Sequence, residues 1–299
     1  MKIIKQIIIK VLLWIRYSVS RVILMFNKFK LNIMSIDETI EKLEEGYSMV
    51  RFGDGEFMLM SGADIKNYQK TDEKLAEGLK KVLAAAEDNS KLLVCIPNTI
   101  NSLQNCTDRS RMHWTIHLGK YLWCYKKYCT QNVVYGDMFV TRPYMTFKNR
   151  ENCGRWFAQI RNLFENKEFV LIEGKYSRLG IGNDLFDKAK SVQRILCPPK
   201  NSYNRYKKIL EEAKKISKDK IILLSVGPVG KLLSYDLFNE GYTVWDIGHI
   251  DSEYVWFLNQ SQTKTVIANK HTAEGSNEGA DIGECNDQEY LSSIIMEIE

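Results

Sequence analysis

Short apolar runs alternate with helix-like segments along most of the chain, and that alternation restricts the fold more than any other feature. Ser35-Ile36-Asp37-Glu38 has the Ser-x-x-Glu spacing of a capping box and opens a helix to about Glu45. Residues 47–52 read as a strand, 72–87 as a helix, 91–96 as an apolar strand stopped by Pro97, and 110–127 as an aromatic-rich helix. Short strands are expected at 133–135, 169–172 and 192–197, with helices at 150–165, 183–190 and 203–217. Ile221 to Val226 is the clearest buried strand; Leu232 to Asn239, Thr243 to Ile247, a helical 251–259 and Thr265 to Ala268 complete the series. Apolar strands separated by helices need cover on both faces. The expected class is therefore α/β: a Rossmann-like, mostly parallel sheet with helices on both faces. No repeat, low-complexity tract or flexible linker interrupts residues 31–299, which read as one domain.

Residues 1–30 differ from the rest. They carry Lys2, Lys5, Lys10, Arg16, Arg21, Lys28 and Lys30 and no acidic residue; without these seven the net charge of +5 becomes about −2. On a helix, Ile4, Ile7, Ile8, Val11, Trp14, Ile15, Val19, Val22, Met25 and Phe26 share one apolar face, with Lys2, Lys5, Lys10, Arg16 and Arg21 opposite. That is the pattern of a basic amphipathic helix lying on an anionic membrane. A helix packed on the body and a tilted single span are the alternatives. Charges interrupt every long apolar run, and no small-residue cleavage site follows a compact apolar core, which argues against a secretory signal. A peripheral position on the inner face of the cell membrane follows.

The body's slight acidity argues against nucleic acid as a partner. Seven cysteines occur at irregular spacing without a C-x-x-C pair. Zinc and redox motifs are thus unsupported, and Cys95 and Cys197 in apolar strands read as reduced thiols of a cytoplasmic protein.

Ligands of parallel sheets bind beyond the carboxyl ends of the strands, so the segments there carry the functional argument. Arg51-Phe-Gly-Asp-Gly-Glu56 follows the first strand and is expected to place Asp54 and Glu56 on one exposed loop. Two carboxylates one residue apart suit a divalent cation held against a diphosphate; a solvated acidic turn is the plain alternative. Glu173 to Asp184 follows another strand, with Lys175 and Arg178 as diphosphate partners, glycines for close backbone approach, and Asn183 or Asp184 as ligand contacts or helix caps. Gly227-Pro228-Val229-Gly230 offers a strand-to-helix turn of the kind that binds phosphate, without the full dinucleotide or Walker pattern. Asp246-Ile-Gly-His249-Ile-Asp251-Ser-Glu253 is the densest group of acid and base side chains; a capped helix start is its alternative. His113 and His117, four apart on a helix, read as packing residues rather than metal ligands.

Taken together and in order, Arg51-Phe-Gly-Asp-Gly-Glu56, Glu173-Gly through Arg178-x-Gly-x-Gly-Asn-Asp-Leu-Phe186, Gly227-Pro228 and Asp246-Ile-Gly-His-Ile-Asp-Ser-Glu-Tyr254 resemble the GT-D-fold glycosyltransferases over about residues 35–265. The resemblance implies a metal-dependent transferase moving glucose or a related hexose from a UDP-sugar. Mn²⁺ or Mg²⁺ would sit at Asp54 and Glu56. Arg51, Arg178, Gly180, Asn183, Asp184, Gly227, Pro228 and Asp246 would bind the nucleotide sugar. His249, Asp251 and Glu253 would stand near the acceptor as candidate catalytic groups. With the amphipathic helix, the expected acceptor is a lipid-linked glycan of surface polysaccharide assembly. A glycoprotein acceptor, a non-enzymatic UDP-sugar-binding membrane adaptor and another Rossmann-like enzyme are the competing readings.

Overall fold

The computed structural model describes residues 2–65, 68–87, 91–272 and 282–299. In chain order the elements are α1 (Lys2–Met25), β1 (Asn32–Ile33), α2 (Ile36–Glu44), β2 (Ser48–Arg51), α3 (Asp54–Met60), α4 (Glu73–Ala84), β3 (Leu92–Ile96), α5 (Asp108–Tyr128) and β4 (Val134–Asp137). Then follow α6 (Cys153–Leu163), β5 (Glu168–Gly174), β6 (Ser191–Cys197), α7 (Tyr206–Ala213), β7 (Ile221–Ser225), α8 (Val229–Asn239), β8 (Val244–Asp246), α9 (Ile250–Leu258), α10 (Gln288–Ser293) and β9 (Ile294–Glu297). Among the described residues the nine strands form one sheet, ordered β1-β4-β3-β2-β8-β7-β5-β6-β9. Every described pairing in it is parallel.

The local chemistry explains these elements. All five residues of β3 are buried, as are four of the five in β7, as a strand covered on both faces requires. Ser35 caps α2: its hydroxyl accepts from Glu38 N–H at 3.2 Å, and Glu38 Oε2 accepts from Ser35 N–H at 2.7 Å. Asp72 caps α4, whose buried Leu75, Ala76, Leu79, Val82 and Leu83 fall at helical spacing.

The two faces of the sheet bury separate cores. Ile40 of α2, Phe157 of α6, and Ile250, Tyr254 and Trp256 of α9 pack on one. Phe57 of α3, Leu79 of α4, and Leu118 and Tyr125 of α5 pack on the other, as Ile209 of α7 and Leu233 of α8 do farther along. The neighbours β2 and β8 thus send their next helices to opposite faces. A crevice opens between them at the carboxyl edge, where open parallel sheets bind ligands.

Several expected elements differ. Asp54 and Glu56 lie in the first turn of α3 and not on an exposed loop, because Glu56 caps the helix from within: its Oε2 accepts from Gly53 N–H at 2.7 Å. The expected helix at 183–190 is a run of turns. There the Asn183 carboxamide accepts from Leu185 N–H at 3.0 Å, an Asx turn that competes with helix. Residues 265–268 are irregular, α8 begins earlier, at Val229, and β1, α10 and β9 were not anticipated.

α1 packs along α5. A Cβ on Gly119 would fall 2.8 Å from the Cα of Ser20, so the missing side chain is what lets the helices touch. Ile7, Ile8, Val11, Trp14, Ile15, Val19, Val22, Met25 and Phe26 are all exposed. Among the described residues no helix is long and apolar enough to cross a membrane.

Candidate active site

The crevice is a cavity of about 560 Å³, within the range of small-molecule sites. Its floor joins the ends of β2 and β8. Arg51 donates from Nε to the Asp246 carbonyl at 2.7 Å and from Nη1 to the Met138 carbonyl at 3.3 Å. Its Nη2 lies 3.6 Å from Asp246 Oδ1. Gly248 makes room for that guanidinium. A Cβ there would sit 1.8 Å from Arg51 Nη2, and φ is +46°, a region glycine enters at least cost. Lys231, in the first turn of α8, lies 3.0 Å from Glu56 Oε1 and 3.0 Å from Asp246 Oδ2. All four side chains are buried, and two of each sign leave the group neutral. Burial alone would lower the Lys231 ammonium's pKa; the carboxylates of Asp246 and Glu56 outweigh it and raise it.

The walls come from separate elements. Asp54 faces His113 of α5, Nε2 to Oδ2 at 2.9 Å. Burial raises the Asp54 pKa, but the His113 hydrogen bond and charge, with His117 and Arg142 behind them, hold the carboxyl well below its usual range. Gly227, at φ +68°, turns from β7 into α8 beneath the Tyr68 ring, which a Cβ would approach to 2.5 Å. Arg142, Arg109 and Lys264 complete a lining of five basic and three acidic side chains. Burial, then the neighbouring Arg142, pull Lys264 down to about 8. Burial, then Arg142, Arg51, Lys264 and Lys231, depress His249 well below the usual imidazole value, so it stays neutral near pH 7.

Of the residues singled out by sequence, Arg51, Asp54, Glu56, Gly227, Pro228, Asp246 and His249 meet at this cavity. Arg178, Gly180, Asn183, Asp184, Asp251 and Glu253 are placed behind it. The Asp251 carboxylate accepts from Gly180 N–H and Asn183 Nδ2, both at 2.7 Å, and from Lys270 Nζ at 2.7 Å, which fixes the turn after β5. Arg178 donates to the carbonyls of Asn269 and Gly283. Asp184 accepts from the Tyr254 hydroxyl at 2.6 Å and pairs with Arg161 at 2.7 Å. Glu253 accepts from the backbone N–H groups of Tyr144 and Met145, both at 3.0 Å, and so fixes the loop that carries Arg142 and Met145 into the wall. His113, Arg142, Lys231, Lys264 and Tyr68 are cavity residues that the sequence reading did not assign. His113 was read as packing and instead faces Asp54. Its position six residues into a capped helix carried no signal for that, whereas Lys231 directly follows the Gly227 turn and was within reach of the motif.

Among the described residues no three or more His, Cys, Asp or Glu side chains are grouped to hold a metal ion. The donor set fits a cation only as a partial shell. Asp54 opens on the cavity, and Glu56 has both oxygens already bonded, to Gly53 N–H and Lys231. Such a shell would be completed by substrate oxygens, the usual arrangement for Mg²⁺ with phosphates.

A Rossmann-like parallel sheet with a basic-lined cavity at its switch point has the architecture in which open α/β folds bind ligands. A family model described as the glycosyltransferase GT-D fold matches residues 49–275. The chain belongs to that family. It is 37% identical over 270 residues to a probable glycosyl transferase Gly of Streptococcus gordonii, covering 90% of this chain and 39% of that protein. It is 36% identical over 269 residues to the glycosyltransferase GlyD of Streptococcus pneumoniae serotype 4, covering 90% and 33%. The chain therefore spans two fifths or less of these curated relatives. A solved structure described as the domain of unknown function 1792 with a distinct glycosyltransferase fold superposes with a TM-score of 0.86 at 35% identity, covering 95% of this chain and 98% of that one. A second, described as a new glycosyltransferase of that domain from Streptococcus sanguinis, gives 0.86 at 37% identity and covers 90% and 100%.

Proposed function

We propose that this domain transfers a hexose from a UDP-sugar to a glycan acceptor. The observation that carries the reading is the convergence, at one switch-point cavity, of Asp54 on a helix start with five basic side chains. A diphosphate is a dianion or more, and the lining has two more basic than acidic side chains to receive it. At the Gly227 turn and the start of α8, the backbone N–H groups of Gly227 and Val229 are the ones left to meet it, since Pro228 has none and those of Gly230 and Lys231 donate to the carbonyls of Gly227 and Pro228. Asp54, with Glu56 beside it, would hold Mn²⁺ or Mg²⁺. When bound, the cation supplies charge neutralisation for the departing UDP. The chain's own residues do the rest. Arg109, Arg142 and Lys264 bring positive charge to the same cavity, and Arg51, paired with Asp246, anchors its floor. His249, neutral at pH 7, accepts a hydrogen bond from the acceptor hydroxyl and orients it. Glu253 and Asp251 act through the loops they pin.

The exposed apolar face of α1 and its basic residues support docking on an anionic membrane. On α5, Arg109, Ser110 and His113 line the cavity, and Gly119 meets α1. That adjacency favours a lipid-linked acceptor over a soluble glycoprotein.

The test is UDP release from UDP-hexoses with Mn²⁺ or Mg²⁺, alongside calorimetry with UDP-sugars, S-adenosylmethionine and NAD. Asp54→Asn should lower turnover about 100-fold or more while the protein stays folded. Undiminished turnover in that variant would remove Asp54 from the mechanism, and tighter binding of a different cofactor would overturn the donor assignment.

A further inference from the structure

Lys231 is in an unusual position for a lysine in a site that receives a cation. Its ammonium lies 3.0 Å from Glu56 Oε1, 3.0 Å from Asp246 Oδ2 and 3.4 Å from the Gly227 carbonyl. It thus ties together the ends of β2, β7 and β8. The other Glu56 oxygen accepts from Gly53 N–H at 2.7 Å, so neither oxygen is available without a rearrangement. Asp246 is differently placed, because Arg51 also neutralises it.

We infer that Lys231 is a resident substitute cation, which holds Glu56 in the ligand-free protein and gives it up when metal and nucleotide arrive together. The inference rests on the metal and UDP-sugar reading above. A buried carboxylate with no counter-ion is costly, so Glu56 needs a positive neighbour before the donor binds. A divalent cation and an ammonium at one carboxylate oxygen repel each other, so the incoming ion must evict Lys231 from Oε1. The displaced ammonium does not stay uncompensated. Arg51 already balances Asp246, which leaves the charge of Lys231 free for a diphosphate oxygen beside the Gly227 turn. Metal alone gives the lysine no new partner, whereas metal with nucleotide does. The lysine therefore weakens binding of free metal and favours loading of the pair.

Manganese binding, followed by electron paramagnetic resonance of the free ion, separates the outcomes. Wild type, Lys231→Met and Lys231→Arg are titrated with Mn²⁺ alone and with UDP. Without UDP, Lys231→Met should bind Mn²⁺ about ten-fold tighter than wild type and gain more thermal stability from it, because nothing has to be evicted. Lys231→Arg, which keeps the charge, should bind like wild type. Affinity for Mn²⁺ alone that is unchanged or weaker in Lys231→Met, with wild type still binding Mn²⁺ and UDP, overturns the inference. Absence of Mn²⁺ binding by wild type even with UDP overturns instead the metal reading beneath it. If Lys231→Met does not fold, the wild-type protein labelled with ¹⁵N-lysine gives the answer. The Lys231 ammonium resonance, assigned by its loss in Lys231→Arg, should shift on joint addition of Mg²⁺ and UDP and stay near its original position with Mg²⁺ alone. A resonance unmoved by the pair refutes the exchange.

Discussion

His113 and His117 stand one turn apart on α5 and have opposite surroundings. His113 is largely exposed and faces Asp54, whereas His117 is buried, with Nε2 3.1 Å from the Tyr125 hydroxyl and its ring among Trp114 and Tyr121. Burial lowers the His117 pKa from 6.5 to about 4, against the opposing pull of Asp54. In the folded state the ring stays neutral, while the unfolded chain takes up a proton below 6.5. Stability from this group is therefore complete above pH 6.5 and is lost as pH falls toward 4. The shift corresponds to about 3 kcal/mol at its full extent. His249 adds to the slope in the same direction. Urea unfolding at pH 7 and pH 4.5 should show a shallower loss for His117→Gln than for wild type; equal slopes would discount the buried imidazole. At this scale the sequence pointed to the site unevenly. Arg51, Asp54, Gly227 and His249 were readable because each lies at or within three residues of a strand end, and strand ends converge in a parallel sheet. Asp251 and Glu253 met the same criterion, but α9 begins at Ile250 and turns both carboxylates toward neighbouring loops. Spacing alone does not say which way a first-turn side chain points. Arg142 and Lys264 reach the cavity from irregular segments that carry no motif.

At the level of elements, the helices with end signals were the most legible. The Ser35 box placed α2, and Pro97 marked the end of β3. The edge strands β1 and β9 were not: β1 has only two residues, and the apolar Ile294-Ile295-Met296 of β9 is too short a run to tell strand from helix. α1 packs on the body near Ser20, as one of the alternatives had it, and leaves its apolar face open. Trp14 and Val22 lie on that face, so Trp14→Glu with Val22→Glu should abolish flotation with anionic vesicles while UDP affinity is retained. Neutral vesicles should recover less wild-type protein than anionic ones, and more salt should reduce the anionic fraction. Flotation of the double variant equal to wild type would refute the α1 surface as the docking face.

For the whole molecule, the charges divide into a buried neutral group and an open basic lining. The Arg51, Glu56, Lys231 and Asp246 group is shielded from solvent, and mobile ions screen buried pairs weakly. The rest of the lining, Arg109, Arg142 and Lys264 against Asp54, is net basic and, in the proposed function, would receive the anionic donor from solution. Raising ionic strength from about 0.05 M to about 0.5 M should therefore weaken UDP binding about ten-fold and leave urea stability nearly unchanged. Isothermal titration at the two salt levels checks the first statement, and an affinity that does not respond would contradict the electrostatic account of donor capture.

The close approach of Ser20 to Gly119 has a geometric consequence for such an enzyme. α1 is not hung on a slack tether; it is fastened to the helix whose adjoining turns form the cavity wall. If α1 lies flat on a bilayer, as the proposed function has it, the reacting centre would be held at a set height, as on a ruler standing on the lipid surface. A lipid-linked acceptor would then qualify by length as well as by chemistry, because its terminal sugar would have to project from the membrane as far as the cavity stands above it.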